Sequence, residues 1–214
     1  MTSEDGGAPA RATYRHGDLR AALLEAGLDL ARGGGPDAVV LREATRRAGV
    51  SPNAAYRHFA DRAALLAAVS DAAQGLVADA MRDTVDAVDG GDSPAAAARK
   101  RLRAIGSGYI AFAQHEPGLF RAAFTVPSDM SKAYDPSKAG RDGQTPFELL
   151  GTVLDELVAT GEIAAERRPG LEFLAWSAVH GLAMLVIDGP LRGLTDPMIA
   201  GARERLLDMV ERGL

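Results

Sequence analysis

Cysteine is absent from the 214-residue sequence. Disulfides, thiolate metal sites and a cysteine nucleophile are thereby excluded, in keeping with a reducing cytoplasm. No stretch alternates apolar and polar residues long enough to make a convincing strand, and no repeat of fixed period occurs. The most apolar run, 171–187, is interrupted by Glu172, Ser177 and His180. It is shorter than the roughly 20 residues a membrane span needs, so it reads as a buried helix and no membrane association is expected. The first dozen residues are polar, with Gly6, Gly7 and Pro9, and read as a disordered tail over 1–13 without a signal peptide. The four histidines, His16, His58, His115 and His180, never stand three or four residues apart, which leaves no helical metal pair. His115 beside Glu116 is a weak metal suggestion. No glycine-rich phosphate loop follows a strand, because Gly33-Gly34-Gly35 ends a helix, and there is no GxSxG elbow. From these absences neither an enzyme, a metal site nor a cofactor is expected.

What is present is enough chain for one or two domains and a sizeable core. Charged residues make up 25% and apolar residues 47%, both ordinary for a globular protein. The net charge of −5 is unevenly spread. Between Arg11 and Arg62 nine arginines face six acids, leaving +3; Glu4 and Asp5 contribute −2, and residues 63–214 carry 15 basic and 21 acidic groups, or −6. A basic first part on an acidic body suits one end that faces DNA and a body that repels its backbone.

The basic part contains the stretch Leu41 to Phe59, LREATRRAGVSPNAAYRHF. Leu41, Ala44, Thr45 and Ala48 fall at helical spacing. Gly49 can take the positive φ that ends a helix, and Val50 can plug the angle that follows. Ser51 offers an N-cap oxygen and Pro52 suits the first position of a second helix. That helix carries Asn53, Tyr56, Arg57 and His58, with Ala55 and Phe59 available to pack inward. The pattern reads either as a helix-turn-helix, whose second helix can lie in a DNA major groove, or as an ordinary helical hairpin with a solvated polar face.

The segments VSPNAAYRHFADRAALL and, before it, YRHGDLRAALLEAGLDLA at 14–31 resemble the signature of the tetracycline-repressor (TetR) type of transcription regulators. The resemblance spans every helix of that family's DNA-binding domain. It implies a three-helix domain over 14–60, extending to about 77 with the start of a fourth helix, followed over 61–214 by a helical ligand-binding and dimerisation domain in an all-α fold. It implies that Ser51, Pro52 and the first amides of the second helix meet phosphate. Arg42, Tyr56 and His58 match positions that touch backbone or groove wall, and Arg62 stands where the family commonly has a phosphate-clamping Lys. Asn53 and Arg57 have base-reading chemistry, Asn for adenine and Arg for guanine, while a solvent-facing ion pair is the other reading of Arg57. The hydroxyl of Thr45 is expected to bond back to its own helix.

The rest of the chain reads as helices. Leu19, Leu23, Ala26 and Leu30 give the first, over about 17–33, one apolar stripe. Asp61 can cap a long helix running to about Val88, with Leu65, Val69, Ala73, Leu76, Ala80 and Val88 as its stripe and Gly90-Gly91-Asp92 as its break. Ser93-Pro94, Glu116-Pro117, Thr145-Pro146, Arg168-Pro169 and Asp196-Pro197 each mark a helix start, and Thr145 with Glu148 makes a capping box. The implied helices are 94–115, 117–126, 146–161, 169–188 and 197–212. The polar segment 127–144 is long enough to be either mobile or functional.

FLAWSAVHGLAMLV at 173–186 resembles the Trp-His-Gly signature of the family's WHG domain, here Trp176, His180 and Gly181, and HEPGLFR at 115–121 is similar to that domain's helix junction; the WHG-like region covers about 94–190. The resemblance implies a ligand cavity, with Tyr109, Phe112, Phe120, Phe124, Trp176, His180 and Met184 as candidate lining residues, though aromatics at this spacing also serve as plain core. It further implies a homodimer through the last two helices. Ala175, Ala178, Gly181 and Ala183 permit close helix approach, and Ile199, Ala202, Leu206, Met209 and Val210 form a stripe on the last helix, unless both stripes serve only the subunit's own core. The expectation is a cytoplasmic DNA-binding regulator, a repressor that binds a palindromic operator as a homodimer and is released by an unknown small molecule. The competing expectation is a helical carrier or enzyme that uses the C-terminal cavity and has no DNA role.

Overall fold

The computed structural model describes residues 18–89, 93–127 and 129–214; the expected tail over 1–13 and the Gly90-Gly91-Asp92 break lie outside them. Among the described residues the fold is all α, with no strand. The helices are α1 (Asp18–Gly34), α2 (Leu41–Arg47), α3 (Pro52–Tyr56), α4 (Arg62–Asp86), α5 (Pro94–His115), α6 (Pro117–Thr125), α7 (Pro146–Ala159), α8 (Leu171–Ile187) and α9 (Asp196–Gly213).

Local signals set most of these starts. Asp61, Ser93 and Thr145 each accept a hydrogen bond from a backbone N–H in the first turn of α4, α5 and α7, and Thr145 with Glu148 forms the expected capping box. Two starts differ from expectation. α8 begins at Leu171 rather than 169, because Gly170 sits at φ 79, outside helical space. α9 begins at Asp196, with Thr195 in the flanking position.

Two cores divide the chain. The first gathers Leu23, Leu30, Val39, Leu41, Ala44, Ala55 and Phe59 with Leu65 and Val69 of α4. The second gathers α5, α7, α8 and α9 around Val77, Met81 and Val85 of the same α4. The buried stripe of α4 is thus 65-69-73-77-81-85, not the expected continuation through Leu76, Ala80 and Val88. Each four-residue step overshoots a full turn by about 40°, so the stripe winds around α4 and turns from the first core to the second. By length and composition α4 could cross a membrane; its apolar character serves two cores instead.

On α9 the buried positions are Ile199 and Leu207. Ala202, Leu206 and Val210 pack against the core edge, while Met209, expected in the same stripe, faces out. On α8, Ala175 and Ala183 are buried in the subunit's own core, and Ala178 and Gly181 are half-exposed. The expected small-residue stripe therefore splits between two faces.

Segment 129–144 is held on α4 by side chains. The Arg141 backbone N–H donates to Asp79 at 2.7 Å, Arg141 Nη2 to Asp83 at 2.5 Å, and Ser137 Oγ to Asp71 at 3.0 Å. Two short 3-10 turns, Met130–Lys132 and Pro136–Lys138, give it local order.

Candidate nucleic-acid interface and ligand cavity

The turn between α2 and α3 is built from its own backbone. Gly49 takes φ 67, a conformation that costs a Cβ-bearing residue energy. The Val50 N–H then donates to Thr45 O at 3.1 Å. Ser51 Oγ accepts from the Ala54 N–H at 3.3 Å, and Pro52 opens α3 without an N–H to leave unpaired. Thr45 Oγ donates to Arg42 O at 2.6 Å, the back-bond expected of it. Ala55 and Phe59 fix α3 to the first core, and the Arg20 guanidinium lies 5.3 Å from the centre of the Phe59 ring.

The opposite face of α3 is open. Pro52, Asn53, Tyr56 and Arg57 are exposed, Tyr56 by 57%, and His58 is half-buried beside them. Arg42 is exposed on α2. Charges nearby divide into two sets. Glu43 lies 2.6 Å from Arg46 and 3.3 Å from Arg47, and the hydrogen bond from Arg46 holds its carboxyl down at about 2. Arg42 and Arg57 make no ion pair among the described residues, so the ion-pair reading of Arg57 has no partner there.

Arg62, expected as a phosphate clamp, is half-exposed and also makes bonds within the protein. Its Nε donates to Val39 O and its Nη2 to Pro36 O, both at 2.8 Å. The guanidinium staples the α1–α2 connection to the start of α4.

A cavity of about 330 Å³ lies in the second core, bounded by α4, α5, α6, α7, α8 and α9 and by residues 126, 127, 129, 130, 133 and 138. Four of the seven expected residues line it: Tyr109, Phe124, Trp176 and His180. Phe120 does not; it is fully buried behind the wall, stacked on the His180 ring at 5.7 Å and edge-on to Tyr109 at 5.3 Å. Phe112 and Met184 pack against the core without reaching the cavity, because their positions on α5 and α8 turn away from it. Trp176 Nε1 donates to the Tyr109 hydroxyl at 3.1 Å, and that hydroxyl lies 2.8 Å from His180 Nδ1. Burial pushes the Tyr109 hydroxyl well above the usual phenol range and His180 below the usual imidazole range.

Several lining residues carried no signal in the sequence. Met81 and Leu150 look like any core position, and Arg103 looks like a surface cation; α9 brings Glu204, Asp208 and Glu211 to within 3.2 Å of it. Asp129, Met130 and Lys138 reach the cavity from the segment read as mobile or functional.

α6 joins the two sites. Phe124 and Ala123 line the cavity, whereas Leu119 and Ala122 belong to the first core. Ala123 O accepts hydrogen bonds from Ser70 Oγ and Gln74 Nε2 of α4, each at 2.9 Å. At the other end Gly118 lies against α1 so closely that a Cβ there would fall 2.3 Å from Ala31 O.

Residues 23–69 match the family model for bacterial regulatory proteins of the tetR family, and residues 102–210, half of the chain, match the tetracyclin repressor-like C-terminal domain. The chain belongs to the TetR family. It is therefore a DNA-binding transcription regulator by class, and the helix-turn-helix reading of α2 and α3 stands over the plain hairpin. A search of curated proteins finds no match. Among solved structures, a protein of unknown function from Rhodococcus sp. RHA1 is 26% identical, with a TM-score of 0.72 over 95% of this chain and 99% of its own. A TetR family transcription regulator from Marinobacter aquaeolei VT8 is 24% identical, with a TM-score of 0.60 over 90% and 95%. The transcriptional regulator FadR from Bacillus subtilis, solved with stearoyl-CoA, is 12% identical and shares the fold at a TM-score of 0.62 over 91% and 98%. The first TetR match holds α2, α3 and the turn between them; the second holds Tyr109, Phe124, Trp176 and His180.

Proposed function

We propose that this TetR protein is a cytoplasmic repressor that binds a palindromic operator as a homodimer and leaves it when a small molecule fills the cavity. The observation that carries this reading is the open face of α3, where Asn53 and Tyr56, with Arg57 just past the last turn, stand exposed on a helix whose other face is locked into the core. Asn53 and Arg57 supply base readout, and Pro52, Tyr56, His58 and Arg42 the groove wall and backbone. Ser51 positions α3 through its cap. Arg62 acts as a positioning residue, holding α4 to the α1–α2 connection.

The dimer reading rests on the outer face of α8 and α9. Leu174, Leu185, Met198 and Met209 are 59%, 43%, 55% and 59% exposed. Each pair is eleven residues apart, about three helical turns, and so shares one face. Exposed apolar faces of this kind mark association surfaces, and a second copy would place two α3 helices for successive major grooves about 34 Å apart.

Coupling runs through α6. A ligand against Phe124 and Ala123 bears on the two α4 bonds to Ala123 O and, through Gly118, on α1. If the filled cavity favours one spacing of the two heads, the bound population shifts. That FadR was solved with stearoyl-CoA supports a ligand role for a cavity in this fold.

The test is fluorescence anisotropy on the palindrome nearest the protein's own gene, over a salt series. The expected result is binding that weakens steeply with salt, with Arg57→Ala and Tyr56→Ala each reducing affinity about tenfold or more. Unchanged affinity in both variants, or no binding in dilute buffer, would overturn the site.

A further inference from the structure

The polar groups of the cavity wall specify what the effector of the preceding reading must be. Trp176 Nε1–H donates to the Tyr109 oxygen. The hydroxyl's own proton then goes to the acceptor 2.8 Å away, His180 Nδ1. A neutral imidazole that accepts at Nδ1 carries its proton on Nε2. Burial keeps His180 neutral and Tyr109 protonated, so the arrangement persists through neutral pH. Among the described residues, His180 Nε2 has no hydrogen-bond partner. The ring lines the cavity beside Phe124, whose ring stands edge-on at 5.0 Å, and beside Trp176. The aromatic wall therefore carries one N–H donor with no protein acceptor among the described residues, and a ligand that covers it without supplying an acceptor forfeits that donor's hydrogen bond to solvent.

Charge on the wall is balanced. Arg103 is held by Glu204, Asp208 and Glu211. Hydrogen bonds from Ser131 first, and the charges of Lys132 and Lys138 after them, keep the Asp129 carboxyl below its usual range, and Lys138 is itself already engaged. An ionised ligand would lose its hydration without gaining a free counter-charge. The volume of about 330 Å³ is at the small end of ligand sites, which run from about 300 to 1,000 Å³.

We propose that the cavity binds a neutral, largely apolar molecule of one or two rings through a single carbonyl oxygen that accepts from His180 Nε2–H. The inference rests on the effector reading of this cavity, and its test separates the two.

Three probes of one shape decide it: benzophenone, its hydrocarbon twin diphenylmethane and its anionic relative diphenylacetate. Binding is read on the full chain by calorimetry and by the fluorescence of Trp176, the single tryptophan. Benzophenone is expected to bind about tenfold more tightly than either relative, the worth of one hydrogen bond to an otherwise unpaired donor. His180→Phe, which keeps a ring in place, should bring the ketone and the hydrocarbon to equal affinity. Tyr109→Phe removes the group that fixes the tautomer and should narrow the difference several-fold while leaving the fold intact by circular dichroism. Equal binding of ketone and hydrocarbon to the unaltered protein, or tightest binding of diphenylacetate, would overturn the acceptor assignment and leave the cavity as an effector site. Failure of all three to bind would overturn the cavity as an effector site and this proposal with it.

Discussion

His180 illustrates how a single residue acquires its properties from its neighbours. Its ring is packed among Phe120, Phe124, Tyr109 and Trp176, and burial disfavours its cation. The folded-state pKa lies below the ordinary value of about 6.5, which the unfolded chain retains. Stability is therefore fully present above that ordinary value. As pH falls through it, the unfolded chain takes up a proton that the folded chain refuses, and stability declines until the lower folded value is reached. Urea midpoints measured at about pH 7.5 and about pH 5.5 should show this decline in the unaltered protein. The decline should be smaller in His180→Phe, which lacks the buried imidazole; an identical decline would mean that the imidazole is not withheld from water. Arg62 shows the same dependence on neighbours, since two carbonyls from the α1–α2 connection hold a guanidinium that also has the profile of a phosphate clamp.

Among the elements, α6 has the most consequential placement. It is a nine-residue helix with one side in each core. Gly118 sets its distance from α1, because a Cβ would meet the Ala31 and Arg32 carbonyl oxygens at 2.3 and 2.6 Å. Neither oxygen belongs to a flexible side chain, so Gly118→Ala must push α6 away from α1 or distort its first turn. The expected cost is about 1–3 kcal/mol by chemical denaturation, in the range for overpacking a tight contact. The more telling readout is coupling: ligand binding at the cavity should survive, while its effect on operator affinity shrinks several-fold. A variant with full stability and full coupling would show that α6 does not transmit. α3, by contrast, is only five residues long and owes its position to Ala55, Phe59 and the Ser51 cap. Its orientation is set by packing, because so short a helix has no stability of its own.

At the scale of the whole molecule, apolar surface is placed unevenly. The inner faces of α8 and α9 close the second core, and their outer faces carry leucine and methionine into solvent. Leu185→Arg together with Met209→Arg should leave the monomer's melting temperature nearly unchanged, because both side chains already lie outside the core. In the proposed dimer these cations would be buried against their own copies, so sedimentation should report a single protomer and operator affinity should fall at least tenfold. A stable dimer in that double variant would move the interface elsewhere.

The sequence by itself determined the elements whose causes are local. Ser51-Pro52, Asp61, Ser93-Pro94 and the Thr145–Glu148 box fix helix starts through bonds made within one turn, and the 41–59 pattern with its TetR resemblance determined the binding class. Tertiary structure decided what depends on one helix meeting another. The drift of the α4 stripe to Val77, Met81 and Val85, the burial of Leu207 in place of Met209, and the choice of Tyr109, Phe124, Trp176 and His180 over Phe112, Phe120 and Met184 for the cavity are of this kind. Helical periodicity reports that a face is apolar but not what covers it, since burial by a neighbouring helix, by a cavity or by a second subunit leaves the same spacing in the chain.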